Sequence, residues 1–216
     1  MTERLVIAID GPSASGKGTL GKRLAAHFGL PHLDTGLLYR AVGWAAFRTG
    51  RAPAEIAAQL RAADLDNPEL RGDDAGQQGS KVAADLEVRA NLLKFQKEFA
   101  ARGTGAVLDG RDIGTVIAPN ADAKLFVQAT PTIRAKRRHS ELRAQGSSVS
   151  LDKVLTDIRA RDQRDTHRTA APLILANDAA LLDTSFLSIE SAVQRAIALV
   201  ELRITKRTGE DSQPEA

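Results

Sequence analysis

Two kinds of apolar run alternate along the chain. Leu5–Ile9 is a short continuous apolar stretch that stops at Asp10–Gly11, the pattern of a strand buried on both faces. Beyond the next loop, Leu20, Leu24 and Phe28 recur at helical spacing within Lys17–Phe28, and Gly29 and Pro31 end that helix. Similar spacing predicts helices over Leu37–Arg48 (closed by Gly50), Pro53–Ala63 and Ser80–Ala101. Between the last two, Asp64–Gly79 is polar and rich in Gly and Asp, which reads as loop. Short strands are expected at Gly105–Gly110 and Ala123–Ala129, and helices near Thr132–Gln145 and Leu151–Asp165. A late strand at Ala179–Ser185 and a final helix over Ile189–Ile204 follow. The tail from Lys206 lacks large apolar residues and reads as disordered. This order of elements predicts an α/β fold, a parallel sheet wrapped by helices, in a single domain over residues 1–206 with a disordered tail at 207–216.

Composition narrows the chemistry. The chain has 216 residues and no cysteine, which excludes disulfides, thiolate nucleophiles and cysteine-held metals, and suits a cytoplasmic setting. No apolar stretch approaches the ~20 residues that span a bilayer, and the N-terminus lacks a signal-peptide layout. The net charge of +3 is mild and suits an anionic small molecule as well as nucleic acid. With one Tyr and one Trp, a base-stacking platform for single strands is not expected, so neither nucleic acid nor membrane is a predicted partner.

The chemistry begins where the first strand meets the first helix. Gly11, Pro12, Ser13, Ala14, Ser15, Gly16, Lys17, Gly18 and Thr19 form a G-x-x-x-x-G-K loop between strand and helix. Glycines let such a loop turn its amides onto anionic oxygens, the helix N-terminus adds partial positive charge, and Lys17 adds a full one. The residue after Lys17 is Gly18, and the hydroxyl comes one step later at Thr19, which weakens a direct hydroxyl–Mg²⁺ contact. GTPases, motor ATPases and small-molecule kinases all use this loop. No N-K-x-D element is present for guanine. The strand "AVLDGRD" ends in Asp109, Gly110, Arg111 and Asp112: an acid able to hold a metal through water, then an arginine suited to a second anion.

Two further segments fit transfer between bound phosphates, each with a plainer alternative. In "LDTGLLYR", Thr35 either caps the next helix or stands near an acceptor phosphate with Arg40 as clamp. In the basic segment from Arg134 to Arg168, Arg161, Asp165 and Arg168 share one helical face. That face is either a solvated salt-bridge network or a flap whose arginines cover a transferring phosphoryl group.

Taken together, "DGPSASGKGT", "LDTGLLYR", "LDGRDIGT" (Leu108–Thr115) and "RARDQRDTHRTAAPL" (Arg159–Leu173) resemble bacterial cytidylate kinases, in order, from the first strand to about Glu201. The resemblance implies a P-loop NTPase-type sheet of five parallel strands, a monophosphate-binding insert (residues 35–102), a helical lid (131–170) and a monomer. It implies transfer of the ATP γ-phosphate to CMP or dCMP with Mg²⁺ held by phosphates and water. Lys17 and its loop would hold ATP; Thr35, Arg40, Arg111 and Arg168 would surround the CMP phosphate. Ser80, Arg89 and Asp112 would read the cytosine edge, a hydroxyl and a carboxylate accepting from N4 and a guanidinium donating to N3 and O2. Asp165 would take the ribose hydroxyls beside Arg161. Arg134, Arg137 and Arg138 would be lid arginines near ATP, and Lys17, Asp109, Arg111, Arg137 and Arg161 would serve the transfer itself. Ser80 and Arg89 are expected on one helix; Ser80 is also a plausible helix cap. Asp64–Gly79 looks like a shortened insert, and Thr35 stands where the family more often has serine. A kinase for another small acceptor, such as another nucleotide, shikimate or dephospho-CoA, is the alternative.

Overall fold

The computed structural model describes residues 4–210. Five parallel strands form one sheet in the order β2-β3-β1-β4-β5: β1 Leu5–Asp10, β2 His32–Asp34, β3 Gly105–Gly110, β4 Ala123–Gln128 and β5 Ala180–Asp183. Side chains of β1 alternate between two cores, as a strand covered on both faces requires. Val6 and Ala8 join Leu38, Val42, Val88, Leu92 and Leu108 on one face. Ile7 and Ile9 join Leu20, Leu24, Leu125, Ala196 and Val200 on the other. The helices are α1 Lys17–Phe28, α2 Thr35–Thr49, α3 Pro53–Ala58, α4 Asp73–Val82, α5 Leu86–Ala100, α6 Pro131–Ala144, α7 Leu151–His167 and α8 Ile189–Glu210. A third small core of Ala135, Leu142, Val154 and Ile158 joins α6 to α7. Among the described residues, no helix is long and apolar enough to cross a membrane.

Four sequence expectations differ from the structure. The stretch read as loop, Asp64–Gly79, carries a 3-10 turn at Pro68–Arg71 and most of α4. The buried face of α4 is Ala75, Gly76, Gly79 and Ser80, so it has no large apolar residue to mark a helical period. The helix expected over Ser80–Ala101 is two. Asp85 accepts from the amides of Glu87 (2.8 Å) and Val88 (3.2 Å) and starts α5 afresh. Ser80 and Arg89 therefore lie on different helices, and Ser80 is a buried residue inside α4 rather than a cap. The third expected helix is cut short: α3 ends at Ala58 and a separate 3-10 turn spans Ala62–Leu65. Finally, α8 continues to Glu210, so Arg207–Glu210 are helical, and residues 211–216 lie outside the described residues.

Glycine sets the spacing of α2 and α4. A Cβ on Gly43 would stand 2.5 Å from the Gln78 carbonyl carbon, and one on Gly79 would stand 2.9 Å from the Arg40 backbone. The two helices thus meet backbone to backbone, which fixes Thr35 on α2 relative to Ser80 on α4.

Candidate active site

The carboxyl ends of the strands gather the site, as expected where crossovers diverge to both sides of a central strand. At the end of β1, Gly11 takes φ +154° and would clash with the Val127 carbonyl if it carried a Cβ (2.0 Å). Ala14 (φ +57°) and Gly16 (φ +95°) complete the turn, and α1 starts at Lys17 with no side-chain cap. Its first amides therefore have no side-chain acceptor, the arrangement of a helix N-terminus open to an anion. Lys17 Nζ donates to the Pro12 carbonyl at 3.3 Å. Burial, reinforced by Arg111, pulls the Lys17 ammonium from the ordinary 10.5 down to about 7. The Ser15 hydroxyl is buried with no hydrogen-bond partner among the described residues.

The lid arginines meet this loop unequally. Arg137 donates to Thr184 Oγ1 (3.0 Å), to the Thr184 carbonyl (2.6 Å) and to the Ser15 carbonyl (3.4 Å). Arg134 is 3% exposed and fully engaged: Nε with Ala129 O (2.9 Å), Nη1 with Ser13 O (3.1 Å), and both Nη atoms with Asp162. Arg134 thereby pins α6 and α7 to the loop and has little left for a ligand. Arg138 turns away toward Asp73 (3.9 Å) and Glu141 (3.3 Å). Beside the loop, Ala14, Gly16, Thr19, Arg137, Leu187 and Ile189 line an open, mostly apolar cleft of about 580 Å³.

On the acceptor side, a cavity of about 40 Å³ brings together Thr35, Ser80, Arg89, Arg111, Asp112, Arg161, Asp165 and Arg168, eight residues expected from sequence. Thr35 leaves α2 and donates to the Asp109 carbonyl at 2.9 Å. Asp112, just past β3, pairs with Arg89 of α5 and lies 3.6 Å from Arg168. Asp165 of α7 accepts from Arg111 Nε at 2.6 Å and lies 4.0 Å from Arg161. Burial alone would raise the Asp165 carboxyl, yet Arg111 and Arg161 outweigh it and hold it below the usual range. Arg161 has the opposite problem. Burial, then Arg111, press its guanidinium down to about 9, and its Nε has no hydrogen-bond partner among the described residues. Four guanidiniums facing two carboxylates leave an excess of positive charge.

Arg40 does not join this cavity. Its Nη1 donates to Leu70 O (2.9 Å), and it lines a separate cleft with Lys22, Asp34 and Arg138. Asp109 is buried and bound to His32 Nε2 at 2.7 Å. Beside it, in register, stands Asp34, absent from the sequence-derived site. Burial and then the Asp109 charge raise the Asp34 carboxyl. Two adjacent carboxylates in reach of Lys17 form a donor set that suits a hydrated Mg²⁺. The signal for Asp34 was present, an acid closing a short apolar piece, but only strand pairing places it beside Asp109. Two more residues were missed. The Arg164 Nε donates to Ser80 Oγ (3.3 Å), and Tyr39 lines the cavity with the Arg89 guanidinium 5.6 Å above its ring.

A family model for cytidylate kinase matches residues 7–202. The chain is 58% identical over 204 residues to the cytidylate kinase of Xanthobacter autotrophicus (strain ATCC BAA-1158 / Py2), covering 92% of this chain and 98% of that one. It is 55% identical over 202 residues to the cytidylate kinase of Azorhizobium caulinodans, covering 91% and 98%. Among solved structures, a gluconokinase from Sinorhizobium meliloti 1021 superposes with a TM-score of 0.54 at 16% identity, covering 99% of this chain and 100% of that one, a likeness of fold alone. With its loop, its strand order and these relatives in agreement, the chain belongs to the cytidylate kinase family.

Proposed function

We propose that this protein transfers the γ-phosphate of ATP to CMP or dCMP, giving the diphosphate. The observation that carries the reading is the acceptor cavity. Its paired groups, Arg89 with Asp112 and Arg111 with Asp165, offer a pyrimidine edge and a phosphate what each needs. The excess of guanidinium charge suits a phosphate monoester, which carries about −1.5 to −2 at neutral pH.

Lys17 and the uncapped amides of α1 would hold the donor phosphates, with the adenine in the apolar cleft beside Leu187 and Ile189. Ser80, Arg89 and Asp112 would read the cytosine, Asp165 the ribose, and Thr35, Arg111 and Arg168 the acceptor phosphate. Arg161, near Asp165 but with no hydrogen bond to its Nε among the described residues, would turn that donor to the transferring group. Asp34 and Asp109 would hold Mg²⁺ through water; when bound, the ion neutralises charge on the donor phosphates. The acceptor oxygen is already anionic, so alignment and charge neutralisation suffice without a strong base. A cavity of about 40 Å³ is smaller than a nucleotide, so its lining must widen as CMP enters.

Residues 35–102 are assigned to the acceptor side and 131–170 to the lid of one domain. The absence of cysteine suits a reducing cytoplasm. A coupled assay offering ATP and Mg²⁺ with CMP, dCMP, UMP, AMP and shikimate in turn tests the reading. CMP and dCMP should be preferred; preference for any other acceptor would overturn it.

A further inference from the structure

Asp10 ends β1, one residue before the phosphate loop, and no role above uses it. Its side chain is 5% exposed and reaches across to the segment after β3. Oδ1 accepts from the Ile113 amide at 2.8 Å, and Oδ2 accepts from the Gly114 amide at 2.8 Å. These amides directly follow Arg111 and Asp112. The backbone of Asp10 also lies beside Gly110 in strand register. Arg111–Asp112 is therefore held from both sides: through the ladder at Gly110 and through the Asp10 carboxylate at Ile113 and Gly114. Beyond Asp112 the chain makes one wide helical turn, with the Ala118 amide donating to the Ile113 carbonyl at 2.7 Å. Such π-type turns lack the regular ladder of a longer helix, so an external acceptor matters more there.

We propose that Asp10 is a positioning residue that fixes Arg111 and Asp112 relative to the phosphate loop, acting on the acceptor nucleotide through the backbone without touching it. The proposal rests on the acceptor assignment made above. It explains why a buried carboxylate is kept where an apolar residue would cost less desolvation: burial pushes its carboxyl up to about 6, against the pull of the two amides. Both oxygens are in use. An Asn at this position satisfies one amide and turns its own N–H group on the other, whichever way it flips.

The test compares wild type, Asp10→Asn and Gly114→Ala. A Cβ on Gly114 would stand 3.0 Å from Lys124 Cδ but only at ordinary contact distance, 3.4 Å, from Asp10 Oδ2, so this change presses on the Lys124 side chain and keeps both Asp10 hydrogen bonds. Asp10→Asn should raise the KM for CMP by roughly tenfold, the scale of a lost charge-assisted hydrogen bond, and by more than Gly114→Ala does. The KM for ATP should stay within about twofold, because the loop itself is untouched. Amide hydrogen exchange at Ile113 and Gly114 should quicken in Asp10→Asn. Unchanged exchange at these two amides would overturn the tether. So would an unchanged KM for CMP, or equal losses toward ATP and CMP with a lowered melting temperature, which would mark a general stability role. Should wild type make no CDP, the acceptor assignment falls, while exchange still decides whether Asp10 holds the segment.

Discussion

Asp34 and Asp109 end neighbouring parallel strands at the same register position, so two carboxylates stand side by side within electrostatic reach of Lys17. They are not equivalent. Asp109 is bound by His32, whereas Asp34 uses Oδ1 to accept the Gly36 amide at 2.9 Å and cap α2. Like charges this close are tolerated where a cation sits between them.

Asp34→Asn keeps the cap, because asparagine caps as well as aspartate, and removes only the charge. Turnover should fall by about ten- to a hundredfold, as expected on weakening a bound metal's hold. The Mg²⁺ concentration for half-maximal rate should rise with it. A magnesium titration at fixed ATP checks this; an unchanged midpoint would remove Asp34 from the metal side of the site.

Lys17 predicts an unusual pH dependence. Its ammonium binds a proton more weakly folded (about 7) than in the ordinary state (10.5), so between those values the unfolded chain holds more protons. The stability of the ligand-free protein should therefore gain from this residue as pH rises from about 7 to 10.5, and a Lys17→Met variant should lack that gain. Donor phosphates would restore the charge, so binding ATP near pH 8 should take up protons. Calorimetry in buffers of different ionisation enthalpy reads the uptake directly. Binding without proton uptake would mean that Lys17 is already charged or does not meet the phosphates.

Asp112 meets both Arg89 and Arg168, so its carboxylate balances two guanidiniums, and the proposed function also gives it the cytosine amine. Asp112→Asn should lower kcat/KM for CMP by roughly a hundredfold, in the range seen when a buried polar partner is lost. UMP, whose ring carries an oxygen where cytosine carries the amine, should lose less. Parallel measurement with both acceptors gives the answer, and equal losses would assign Asp112 to charge balance alone.

Gly43→Ala should destabilise the fold by about 1–3 kcal/mol, the usual cost of overpacking, because its Cβ would meet Gln78 backbone rather than a movable side chain. Thermal melting checks it. A melting temperature equal to wild type would show that α2 and α4 can part at this point.

The phosphate loop was legible because three local signals agree over the twenty-four residues Leu5–Phe28: a buried strand, a glycine turn and an amphipathic helix. The acceptor residues were legible through motif order, since composition and spacing left Thr35 and Arg161 ambiguous. What escaped was structure made by small or few residues. Helix α4 buries Ala, Gly and Ser, so its inner face carries no apolar signal. Strand β2 is only three residues long and lies at the sheet edge. The family resemblance put Arg134, Arg137 and Arg138 together as lid arginines without sorting them. Only the hydrogen bonds separate Arg134, engaged with Ser13 and Asp162, from Arg137, which meets Thr184, and Arg138, which turns toward Asp73 and Glu141.

The glycine seam between α2 and α4 also couples two residues that lie far apart in sequence. Helices in backbone contact cannot slide past one another without breaking that fit, so the spacing between Thr35 and Ser80 is set by main chain and not by side chains that could adjust. Thr35 is itself held to β3 through the Asp109 carbonyl. The position of Ser80 is thereby referred back to the sheet, although no strand directly precedes or follows α4.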